Sequence, residues 1–114
     1  MTVKIIIDRQ LKEPPNAEDI RILNDLRIRA MGQTGYISGE TLVDVDDNKK
    51  IVVLSVWSSM EDWMDWKNSK EREKLEAALS AHLVEPAKIR VFMLGADCLR
   101  EMLTQVLHDT TIAE

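Results

Sequence analysis

The run Ile51-Val52-Val53-Leu54-Ser55-Val56-Trp57 is apolar whichever side it is viewed from. Strand side chains alternate between two faces. Ile51, Val53 and Trp57 therefore share one face, and Val52, Leu54 and Val56 share the other. A strand of this kind needs cover on both sides. The chain has only 114 residues, enough for one domain with one core. What covers the second face is the question that constrains the fold.

The rest of the chain supplies one layer of cover. Val3 to Asp8 is β-branched and reads as a strand, with Val3, Ile5 and Ile7 on one face and Lys4, Ile6 and Asp8 on the other. Glu13-Pro14-Pro15 stops it. Asn16 is a suitable N-cap, with Glu18 and Asp19 in the first turn of a helix from Ala17 to Met31. Its expected buried stripe is Ile20, Leu23, Leu26, Ala30 and Met31, with Asp25 and Arg29 paired on the wet side and Gly32 as a left-handed stop. A second strand spans about Thr34 to Val45, where Gly35 and Gly39 point to a bulge or a close approach. Asp46-Asp47-Asn48 is turn chemistry. Asp44, Asp46 and Asn48 have the spacing of a calcium loop, but Lys49 stands where that loop needs glycine and Ser55 where it needs glutamate.

The apolar strand runs from Lys50 to Ser58, and the Ser58-x-x-Glu61 spacing is a capping box for a helix after it. Asn68 and Ser69 break that helix. Ser69 caps another over Lys70 to Leu83, with Leu75, Ala78, Leu79 and His82 or Leu83 along one side. Beyond Pro86, Ala87 to Leu94 reads as a fourth strand. After Gly95, the spacing of Leu99, Met102, Leu103, Val106 and Leu107 predicts an amphipathic helix of about ten residues.

The order β-α-β-β-α-α-β predicts an α+β, ferredoxin-like fold: a four-stranded, mainly antiparallel sheet with helices on one face. The expected division is a domain over residues 1–96 and a helical tail over 97–114. Strands one, three and four are apolar on both faces, so the helix-free face needs a further cover. Such a face projects about 320 Å² from standard spacings, and its accessible area is at or above what soluble monomers expose. Two chains pairing face to face, clasped by the tail, would reach the size of a stable interface. The alternative is a monomer whose tail helix folds back over its own sheet.

Several motifs together carry a resemblance. They are Gly35-Tyr36-x-x-Gly39, the apolar strand ending in Trp57-Ser58, and an acidic helix with Trp63 and Trp66 before Asn68-Ser69. From Val3 to Leu94 the chain resembles the antibiotic biosynthesis monooxygenase (ABM) family of the dimeric α+β barrel superfamily. The resemblance implies a homodimer and a pocket for a small apolar or aromatic ligand. The family includes oxygenases, heme-degrading proteins and members with no known activity. Oxygenase members imply a cofactor-independent reaction with no metal: a phenol-, anthrone- or quinol-like substrate loses a proton, and its carbanion reduces oxygen directly. Such a site needs a proton acceptor, for which Asp8, Glu40, Glu76 and His82 are candidates, and a group holding the oxyanion, for which Tyr36 and Arg90 are candidates. Trp66 occupies a pocket-lining position in the family, and Phe92 joins the expected substrate contacts. Trp63 reads as a core anchor.

The heme-degrading branch fits less well. Its first-strand Asn falls at Asp8, its Trp at Trp66, and its iron-binding His at Glu76. A carboxylate is a poor substitute for imidazole on heme iron. The runner-up function is a non-catalytic ligand-binding or stress-associated protein of the same fold.

The remaining composition narrows the setting. A net charge of −5 and a pI of about 5.1 argue against nucleic acid and anionic membrane surfaces. No apolar run of about 18 residues or signal peptide is apparent. His82, His108 and Cys98 lack metal-ligand spacing. One cysteine, read as a partial-core residue, forms no internal disulfide and fits a reducing, cytoplasmic setting.

Overall fold

The computed structural model describes residues 1–113, and within them the side chains of all but 96–98 and 109–113. The elements are β1 (Val3–Gln10), α1 (Ala17–Met31), β2 (Tyr36–Val43), β3 (Lys50–Trp57), α2 (Met60–Lys67), α3 (Lys70–Ser80), β4 (Lys88–Met93) and α4 (Ala96–Ala113). The strands form one sheet in the order β2-β3-β1-β4, antiparallel at every pairing. The fold is thus α+β and ferredoxin-like, as the order of elements predicts.

Strand β1 sits at the centre, and its residues alternate between buried and half-buried along its whole length. Val3, Ile5, Ile7 and Arg9 face the helices. Their register partners Trp57, Ser55, Val53 and Ile51 on β3 face the same way. Ile22 and Leu26 of α1, Trp63 and Trp66 of α2 and Leu79 of α3 close over them as one core.

Helix α1 is rotated from its expected orientation. Ile22 and Leu26 are buried, whereas Ile20 and Met31 are exposed. The cause is Asp19. Its backbone N–H donates to Asn16 Oδ1 (2.8 Å), and its carboxylate accepts from the Asn16 N–H (3.2 Å) and meets His82 Nδ1 at 2.5 Å. Burying this polar residue brings positions 19, 22 and 26 inward and turns position 20 outward. Arg29 pairs with Glu71 of α3 (2.6 Å), joining two helices. Gly32 keeps a right-handed φ of −84°, and the left-handed conformation falls instead at Gly35, at φ 85°.

Two other boundaries move for visible reasons. Strand β3 ends at Trp57, one residue short of the expected Ser58, whose N–H still donates to Gly35 O (2.7 Å). Ser59 then caps α2, with Asp62 in place of Glu61 as its partner. Helix α3 ends at Ser80 because the next residues are captured by the end of β1: Lys12 N–H donates to His82 O, and Val84 N–H to Gln10 O. Its inner side is Arg72, Leu75, Glu76 and Leu79, while Ala78 is exposed.

Helix α4 has 18 residues, longer than expected. Leu99, Met102 and Leu103 are each about 60% exposed or more, and Phe92 on the helix-free sheet face is 47% exposed. Among the described residues, the tail does not cover its own sheet. The expectation for Cys98 concerns a side chain outside the described ones.

Candidate active site between the helices and the sheet

A cleft opens between the inward face of β1, β2 and β3 and the helices α1, α2 and α3. Ile7 and Val53 form its apolar floor. Leu23, Leu26 and Ala30 line the α1 side, and Trp57, Trp63 and Trp66 the aromatic end. About 520 Å³ of unfilled space lies between these walls out to the open mouth, but the part wide enough for a water-sized sphere is only about 50 Å³. The exposed lining residues Arg27, Glu40 and Thr41 mark the mouth.

The aromatic end is built edge to face. Tyr36 meets Trp57 at 5.4 Å and 89°, and Trp57 meets Trp63 at 5.9 Å and 60°. The Trp57 indole N–H donates to Ser55 Oγ (3.0 Å), so its polar edge is satisfied inside the core. A bulge between Tyr36 and Ser38 puts Tyr36 and Gly39 on the same side of β2. The Tyr36 ring lies across Gly39: a Cβ there would stand 2.3 Å from the Tyr36 hydroxyl.

The polar end consists of charges the sequence pattern hides. Arg9 is the next inward residue of β1 after Ile7. Its Nη2 donates to Glu76 Oε1, and Arg72 Nη2 reaches the same oxygen at 3.1 Å. Arg72 also lies over the Trp63 ring, 5.5 Å from its centroid, and donates to Lys67 O (3.4 Å). Burial pushes the Arg72 guanidinium below its ordinary value; Glu76 pulls it back up and the neighbouring Arg9 lowers it further. Arg9 Nε is buried with no hydrogen-bond partner.

The structure brings Tyr36, Trp66 and Glu76 together in this cleft; Glu40 is exposed on β2 beside the mouth, and its register partner Leu54 lies on the side of the sheet away from the helices. It separates the other candidates from them. Asp8, Arg90 and Phe92 occupy the helix-free face of the sheet, where Arg90 donates to Asp8 Oδ2 (3.2 Å). His82 is half-buried at the α1 N-terminus against Asp19. Arg9 and Arg72 had no place among the candidates. Arg9 extends the Val3-Ile5-Ile7 alternation, and Arg72 precedes Glu76 by four residues on the same helix side as Leu75 and Leu79. Those two spacings were the available signals.

Heme does not suit this cleft. The pleat of β1 directs Arg9, not Asp8, toward it, and no histidine lines it. Among the described residues, no three His, Cys, Asp or Glu side chains gather as a metal site, and no helix is long and apolar enough to cross a membrane.

Comparison with known proteins gives the same architecture. A conserved protein of Methanosarcina mazei superposes with a TM-score of 0.76 at 14% identity, over 83% of this chain and 94% of its own. A candidate antibiotic biosynthesis monooxygenase of Nitrosomonas europaea gives 0.76 at 13%, over 83% and 91%. SnoaB, a cofactor-independent oxygenase of Streptomyces nogalater, gives 0.73 at 16%, over 82% and 93%. At such identities these likenesses establish the fold. No curated protein matches the chain in sequence. The sequence profile of the antibiotic biosynthesis monooxygenases matches residues 3–83, and the chain belongs to that family.

Proposed function

We propose that this protein is a cofactor-independent monooxygenase acting on a small phenol-, anthrone- or quinol-like substrate in the cleft. The observation that carries the reading is the placement of one half-buried carboxylate, Glu76, in a chamber walled by Tyr36, Trp57, Trp63 and Trp66. An apolar chamber favours an aromatic ring and excludes water from its carbanion. Glu76 is the proton acceptor, and the Tyr36 hydroxyl holds the oxyanion that forms as the proton leaves. The carbanion then reduces oxygen. In an anthrone the methylene becomes a carbonyl, one oxygen atom staying on carbon and the other leaving as water. Entry of a ring requires the mouth at Arg27 and Glu40 to widen, because the resting cavity is narrow.

The working unit we propose is a homodimer joined through the helix-free sheet face, in a cytoplasmic setting that suits a single cysteine. The support is the exposure of Phe92 on that face together with Leu99, Met102 and Leu103 on α4.

A second reading, a non-catalytic binding protein, is favoured by one observation: Glu76 is already engaged by two guanidinium groups. Oxygen uptake separates the two. With anthrone and quinol substrates, the wild-type protein should exceed the buffer rate and Glu76→Gln should not. No uptake across a broad panel would leave the binding-protein reading.

A further inference from the structure

The charges lining the cleft do not balance. Arg27 is exposed at the mouth, where water screens its charge, and Glu40 pairs in register with Leu54 on the side of the sheet away from the helices. Inside, Arg9 and Arg72 bring two cations against the single carboxylate of Glu76, leaving one positive charge. Arg9 and Arg72 are 4% and 7% exposed, so water compensates that charge poorly. The same cluster contains the orphaned donor: Arg9 lines the cleft, and its Nε is buried with no acceptor, while Nη2 of the same group is held by Glu76. A buried charged donor without a partner costs more than an ordinary lost hydrogen bond. Both deficits have one remedy, an acceptor that carries a permanent negative charge.

We propose that the ligand of this cleft is an aromatic carboxylate whose carboxylate docks on Arg9 Nε, with its ring against Trp63 and Trp66. A transient oxyanion would not neutralise the resting complex, whereas a carboxylate does so from the moment it binds. Guanidinium donors match a carboxylate in geometry as well as charge. The inference rests on the cleft being the ligand chamber, and it narrows the substrate to aromatic acids.

The test is calorimetric titration of the full chain with 2-naphthoate and with the neutral 2-naphthamide. The acid should bind roughly ten- to a hundredfold more tightly, the range expected for a charge-assisted hydrogen bond. Arg9→Met should abolish most of that preference. Arg9→Lys, which keeps the charge but lacks the Nε donor, should retain only part of it. The wild-type comparison stands even if a variant fails to fold. Equal binding of acid and amide overturns the carboxylate site. Binding of neither also overturns it, and oxygen uptake from a neutral anthrone then decides whether the proposed oxygenase survives.

Discussion

Arg9 on β1 and Glu76 on α3 form an ion pair in which the arginine side chain is 3% exposed and the glutamate 19%. Arg72 completes a triad through the same carboxylate oxygen. Breaking a buried pair from one side leaves an uncompensated charge and costs about 3–5 kcal/mol. Glu76→Ala should fall at the low end of that range, because part of the carboxylate still reaches water. Replacing all three by apolar residues of similar volume should recover most of the loss and abolish activity. Urea denaturation measures both. A triple variant as unstable as Glu76→Ala would show that the triad holds the fold by more than charge pairing.

Tyr36 and Gly39 make a second local test. A methyl group at position 39 would lie 2.3 Å from the Tyr36 hydroxyl and 3.2 Å from Leu54 O. Gly39→Ala should therefore push the Tyr36 ring off the strand and cost about 1–3 kcal/mol, the range for overpacking. Tyr36→Phe removes the nearer obstacle and leaves the ring carbon at 3.3 Å. In the double variant the cost should fall by more than about 0.5 kcal/mol relative to the sum of the singles. Additive costs in a double-mutant cycle would mean the ring does not rest on Gly39.

The order of elements was legible because alternation in β1 and β3, proline stops and cap residues all act locally. Trp66, Tyr36 and Glu76 could be singled out because they lie on or beside motifs of the family. The phase of β1 was harder to use, since Ile6 and Ile7 make both faces apolar. Which of Asp8 and Arg9 enters the cleft follows from packing, not from hydropathy. Asp19, Arg72 and Glu76 share that difficulty. Each is a charged residue on a helix, so periodicity assigns it to solvent, and only its distant partner explains its burial. Asp19 rotates α1 through a contact with His82, and no local rule connects those two positions.

The turn between β2 and β3 carries a pH dependence with a definite sign. The Lys49 N–H donates to Asp47 Oδ1 (3.0 Å), and Gln10 donates to the other oxygen (3.4 Å). The backbone donor at Lys49 is the main cause holding the Asp47 carboxyl below its ordinary value of 3.8. A folded value below the unfolded one means the turn's contribution is fully present above pH 3.8 and fades as pH falls through the lowered value. Wild type should be more stable than Asp47→Ala near pH 6, and the gap should shrink near about pH 2.5. Thermal melts at the two pH values check it; an unchanged gap would remove the carboxylate from the account.

The helix-free sheet face makes the oligomer testable with a substitution the folded chain can accept. Phe92 lies on the edge strand β4, opposite Lys4 of β1. In Phe92→Asp a carboxylate would stand across from that lysine, an arrangement favourable by a few tenths of a kcal/mol up to about 1 kcal/mol within one chain. Between two chains the same charge would enter the centre of an apolar interface, where desolvation outweighs it. Wild type should therefore scatter light as twice 13.1 kDa and Phe92→Asp as 13.1 kDa, with the same far-ultraviolet circular dichroism. Changing Leu99, Met102 and Leu103 to glutamine should weaken the dimer less, because in the proposed pairing the larger part of the interface is the sheet and α4 only clasps it. A wild-type species of 13.1 kDa at micromolar concentration would leave this apolar face without the partner proposed for it.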